Sequence, residues 1–75
     1  MAFTIKLRDL VAFLVERGWQ YKNTEGDHQH YVHPFRAGKV TVVGDRGDDV
    51  TAGLVNSILR QAGLTRKELR EWLKR

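Results

Sequence analysis

Leu7, Leu10, Val11 and Leu14 recur at i, i+3, i+4 and i+7, the spacing that lines apolar side chains along one side of an α-helix. This stripe predicts a first helix facing a core. Thr4 has the side chain of an N-cap, although Lys6 or a neighbour could open the helix instead. Gly18 ends it, because a residue without Cβ can take the left-handed C′ conformation. From Trp19 the period drops to two. Trp19 and Tyr21 share one face of a strand, while Gln20, Lys22 and Thr24 share the other. Glu25-Gly26-Asp27 supplies turn residues, and His28 to His33 forms the returning strand. Pro34 closes it, having no N–H to give to a ladder. Phe35-Arg36-Ala37-Gly38 reads as a second turn, and Lys39-Val40-Thr41-Val42-Val43 as a third, β-branched strand.

The polar stretch Gly44-Asp45-Arg46-Gly47-Asp48-Asp49 reads as a loop. A second helix follows, capped by Thr51 or by an aspartate just before it, with Leu54, Val55, Ile58, Leu59 and Ala62 as its apolar positions and Gly63 as its end. Thr65-Arg66-Lys67-Glu68 matches a capping box, and Leu69, Trp72 and Leu73 give a last short helix its apolar side. The order helix, three strands, helix, helix implies an α+β domain. Consecutive strands with short connections form an antiparallel meander, and the two longer helices cover one face of it. The other face is left to solvent or to a ligand. Without internal repeats or a low-complexity linker, residues 1–75 read as a single domain.

Size tightens this picture. A chain of 75 residues buries only about 60% of its unfolded surface, so its core must be efficient. With no cysteine, neither disulfides nor thiolate-bound zinc can reinforce it. No apolar run approaches a membrane span, and Met1-Ala2-Phe3-Thr4-Ile5-Lys6 lacks the apolar stretch of a signal peptide, so a cytoplasmic protein is expected. The charge is lopsided. Six basic and two acidic side chains from Arg60 to Arg75 account for the whole net charge of +4. Such a basic end favours polyanions, although a solvated helix face would look the same.

All three histidines fall between Gly26 and Pro34. Imidazole titrates nearest to neutral pH, so it can both take and give a proton there. Strand alternation sends His28, His30 and Val32 one way and Gln29, Tyr31 and His33 the other. If Tyr31 packs inward, His28 and His30 lie on the open face. His30 could then be a second proton-transfer group or merely a cross-strand neighbour, and His33, before Pro34, reads as structural. His28-x-His30 could begin a metal site with Glu25 or Asp27 nearby, but His33 points away and a catalytic zinc takes three protein ligands. No metal and no cofactor are therefore expected. Phe13, Trp19, Tyr21 and Trp72 read as core rather than as base-stacking platforms, with Trp72 the one a terminal helix could expose.

Read together, several motifs resemble the HicA family of bacterial and archaeal toxins. These are Leu14-Val15-Glu16-Arg17-Gly18-Trp19, Gly26-x-His28 followed by an aromatic residue and His33-Pro34, the valine-rich third strand, and Gly53-Leu54-Val55-Asn56-Ser57-Ile58-Leu59-Arg60-Gln61-Ala62-Gly63. The resemblance covers nearly the whole chain. It implies a fold like that of double-stranded-RNA-binding domains and a small endoribonuclease that cleaves mRNA without a metal. It also implies a HicB-type antitoxin that covers the active site, and His28 as the catalytic histidine. The chain departs from the family pattern at Asp27, usually serine, at Gln29, often histidine, and at the acidic loop Asp45–Asp49, often basic.

RNA carries its own nucleophile, the ribose 2′-hydroxyl. An enzyme must deprotonate it, stabilise the charge building on phosphate and protonate the leaving 5′-oxygen. On the implied reading His28 is the acid/base group, and Lys22, Arg36 or Lys39 holds phosphate. Asp27 could orient the His28 ring or repel the substrate. Two other readings fit the same scaffold. One is a non-catalytic RNA-binding module, and the other is an interaction domain whose basic last helix docks an acidic protein.

Overall fold

The chain runs β1 (Thr4–Lys6), α1 (Leu7–Glu16), β2 (Gln20–Glu25), β3 (His28–His33), β4 (Arg36–Val43), β5 (Asp49–Thr51), α2 (Ala52–Ala62) and α3 (Arg66–Leu73) in a computed structural model that describes residues 4–74. Met1 to Phe3 and Arg75, which entered the readings of the chain start and of the basic end, lie outside the described residues. β2, β3 and β4 form an antiparallel three-stranded sheet in that order, and β1 pairs with β5 in a separate two-stranded ribbon. The α+β arrangement is as expected.

The helices cover one face of the sheet. Leu7, Leu10, Val11, Phe13 and Leu14 of α1 and Val55, Ile58, Leu59 and Ala62 of α2 pack with Trp19, Tyr31, Val40 and Val42 into one core. Each large apolar side chain removed from water there stabilises the fold by about 1.5–3 kcal/mol. α3 adds Leu69 and the half-buried Trp72, whose ring lies 5.6 Å from Phe13 and whose indole N–H donates to Glu16. Trp72 thus joins the core instead of standing free. The Thr65–Glu68 capping box forms, and Gly63 takes the left-handed conformation at φ 68°.

Four local readings are corrected. Thr4 is not a helix cap but part of β1, opposite Thr51. The first N–H groups of α1 are satisfied from far along the chain, Leu7 donating to the Asp48 carbonyl and Arg8 to that of Arg46. The polar loop is therefore a clasp. Asp48 accepts from the Asp45 N–H, and Asp49 pairs with Lys6 at 2.9 Å. Thr51 does stand at the N-cap of α2, but its side chain makes no capping bond.

The third correction concerns β2. Tyr21 pairs with Tyr31 but Asn23 pairs with His30, so Lys22 is an extra residue, a β-bulge. Gln20, Asn23 and Glu25 consequently share the open face, and Thr24 joins Tyr21 on the other. Fourth, Arg36, Ala37 and Gly38 belong to β4 rather than to the turn. Pairing shifts from Val32–Lys39 to His33–Arg36, with Gly38 at φ 82° inside the irregularity.

Candidate active site

The open face presents Gln20, Asn23 and Glu25 from β2, then His28, His30 and Val32 from β3, and Lys39, Thr41 and Val43 from β4. Tyr31 is what fixes this assignment. It is buried opposite Val40 on the helix side, which turns its neighbours outward. The face is not recessed, and the described residues enclose no pocket.

His28 opens β3 directly after a two-residue turn. Gly26 takes φ 62° at the first central position while Asp27 keeps a negative φ, the combination of a type II′ hairpin. The turn brings Asp27 Oδ1 to 3.0 Å from His28 Nδ1, with the two side chains 73% and 53% exposed. A carboxylate can only accept, so this contact favours the form of the ring with hydrogen on Nδ1. His28 Nε2 makes no hydrogen bond with any described residue, and the side chain as a whole is half exposed.

His30 points to the same face but is enclosed. Its side chain is only 10% exposed, with Nε2 donating to Glu25 Oε1 at 2.8 Å. Nδ1 lies 3.0 Å from the Thr41 hydroxyl. The Thr41 backbone N–H in turn donates to Gln61 Oε1 of α2 at 3.0 Å. Glu25, His30 and Thr41 thus tie all three strands together, and Gln61 covers the outer border of β4. Glu25 and Thr41 carried no isolated signal as His30 partners. Only the register, with its bulge at Lys22, brings them to the ring.

His33 faces the helix side. Phe35 N–H donates to its Nδ1 at 3.0 Å, and its Nε2 donates to the Arg17 carbonyl at 3.1 Å. Those partners define a neutral ring protonated at Nε2, and both nitrogens are committed to structure. The ring packs edge-on against Trp19 with centroids 5.2 Å apart, and so close to Gly18 (φ 99°) that a Cβ there would collide with it.

The three basic residues are spread along the ladder. Lys22 sits in the bulge between the Tyr31 and His30 pairing positions. Lys39 opposes Val32, and Arg36 opposes His33 at the far end from His28, its guanidinium lying over Gly63 at the end of α2. At about 3.3 Å per residue, Arg36 is roughly 17 Å along the strand from His28. One further cation, Arg46, lies on the helix side of the sheet, its carbonyl accepting from the Arg8 N–H. Arg46 belongs to the loop that leaves β4 just after Val43, the residue opposite His28. Its charge reaches the Tyr31 hydroxyl on that side. Burial raises the Tyr31 pKa above the ordinary value of 10, Arg46 opposing that shift and Tyr21 adding to it. The same hydroxyl donates to Gln29 Oε1 at 3.2 Å. No three His, Cys, Asp or Glu side chains among the described residues are grouped to hold a metal ion.

With this geometry in view, comparison with known families is specific. The model of the HicA toxin of bacterial toxin–antitoxin systems matches residues 7–64. The chain belongs to the HicA toxin family. The match runs from the start of α1 to just past α2, so it takes in the whole three-stranded sheet and leaves α3 outside. Membership makes this HicA chain the toxin half of a system whose other half is an antitoxin. No curated protein matches the chain. No helix among the described residues is long and apolar enough to cross a membrane.

Proposed function

We infer that this HicA protein is a metal-independent endoribonuclease that cleaves mRNA with His28 as its acid/base group. The observation that carries the reading is the ring itself: half exposed on an open sheet face, with Nδ1 held and Nε2 free. The 2′-hydroxyl of RNA approaches Nε2, which takes its proton as the oxygen attacks the adjacent phosphorus. The imidazolium so formed can return a proton to the departing 5′-oxygen. No further nucleophile is required. Lys22, in the β2 bulge, and Lys39, opposite Val32 on the same face as His28, are the cations that would offset charge on the phosphate oxygens. Arg36 lies instead over Gly63 at the end of α2, beside the helix-facing His33. His30 is poorly suited to be the second proton-transfer group, because both of its nitrogens are occupied. A HicB-type antitoxin would act by covering this flat face, and both toxin and antitoxin would work in the cytoplasm.

Purified transcript incubated in EDTA tests the reading. The wild type should cut, and His28→Ala should lose about 10²–10⁴-fold in rate. RNA binding without cutting by the wild type would instead assign a non-catalytic binding module. Salt-sensitive protein binding with no RNA affinity would assign an interaction domain.

A further inference from the structure

We propose that Asp27 is the positioning residue for His28, fixing which nitrogen of the ring faces RNA. The inference rests on the nuclease reading above and names the group that makes His28 competent within it. An imidazole has two neutral tautomers, and only the nitrogen without hydrogen can remove a proton. Asp27 Oδ1 lies 3.0 Å from Nδ1. It selects the tautomer in which Nδ1 bears the hydrogen and Nε2 the lone pair, and Nε2 is the nitrogen without a partner among the described residues on this half-exposed side chain.

The backbone supports this role. Gly26, at φ 62°, lets the hairpin turn in two residues, so the carboxylate is delivered from the position immediately before the histidine. Glu25, the other carboxylate flanking the turn, is already engaged by His30. When His28 takes the 2′-hydroxyl proton, the new imidazolium lies against the Asp27 carboxylate, and the pair is neutral as a whole. The same negative charge repels the approaching phosphate, so Asp27 should aid the chemical step while weakening substrate binding. That opposition gives the role a signature.

Nitrogen-15 NMR of the free protein and transcript cleavage in EDTA test it together, on wild type, Asp27→Ala, Asp27→Ser and His28→Gln. In the neutral wild-type ring Nδ1 should be the protonated nitrogen, and in Asp27→Ala the Nε2–H tautomer should take over. Because both groups are largely exposed, the loss in kcat for Asp27→Ala should be on the order of tenfold, far smaller than for a buried triad aspartate. KM should fall alongside it. An unchanged tautomer in Asp27→Ala, or an unchanged kcat, overturns the role. No cutting by the wild type overturns the nuclease reading, full cleavage by His28→Gln overturns the acid/base role of His28, and either removes the inference whatever the NMR shows. A tautomer change with a fall in both kcat and KM supports it. Asp27→Ser should lie between, since a hydroxyl can accept from Nδ1 but brings no charge.

Discussion

Two imidazole–carboxylate pairs share the open face of the sheet, and their surroundings set them apart. Asp27–His28 stands at a hairpin tip, half in water, joined only to itself. Glu25–His30 is one link in a chain that crosses all three strands and ends on α2. In the first pair a nitrogen is left over for chemistry. In the second each nitrogen has a protein partner, and the ring serves as a strut. Residue type and proximity to a carboxylate therefore do not identify a catalytic histidine. What separates the two is whether the fold has already used the lone pair.

The sharpest way to break this comparison is a crossover experiment. His28→Ala should lose about two to four orders of magnitude in transcript cleavage. It should leave stability within roughly 0.5 kcal/mol, as for other exposed sites. His30→Ala should do the reverse, costing about 1–3 kcal/mol by removing the ring that joins Glu25 to Thr41. In a domain of this size that loss lowers Tm by about 4–8 °C per kcal/mol. Cleavage per folded molecule should change far less. If thermal melts and rates showed the opposite assignment, His30 would be the reactive group.

His33 extends the contrast, because it is wholly structural. Gly18→Ala should cost about 1–3 kcal/mol from its positive φ alone, with the push on the His33 ring in addition. Urea unfolding reads this directly. A cost below about 0.5 kcal/mol would mean that the His33 seat is loose.

The smallest expected effect belongs to Tyr31, which anchors the two faces. Its folded-state pKa is raised above 10 by burial, so the neutral hydroxyl is the form the fold prefers. The stability it contributes is fully present below pH 10 and declines as pH rises through the higher folded-state value. Absorbance at alkaline pH should show one tyrosine ionising late and together with loss of structure. Simple early ionisation of both tyrosines would show that Tyr31 is accessible and that the face assignment is wrong.

Much of this architecture can be read from residue order. The α1 stripe, the Gly18 and Gly63 stops, the Thr65 capping box and the inward Tyr31 all depend on neighbours a few residues away. What escaped depends on distant partners. β1 and β5 are three residues each, too short for a period to declare itself, and they meet only because Lys6 comes back beside Asp49. The bulge at Lys22 is a property of two strands together, so simple alternation put Thr24 with Lys22 on the wrong side. The open-face location of His28 and His30 followed from Tyr31. That His30 is enclosed while His28 is not could be seen only once Glu25 and Thr41 were set on either side of it.

Lys22 has a further consequence. It is supernumerary to the ladder, so deleting it would leave Tyr21 facing Tyr31 and Asn23 facing His30. What would vanish is the kink and the positive charge on the sheet's unguarded margin, since Gln61 shields the opposite one. The segment Gln20 to Thr24 would become a straight, uncharged hem on which another chain could be stitched. Sedimentation at rising concentration should find the deletion variant self-associating while the parent stays monomeric.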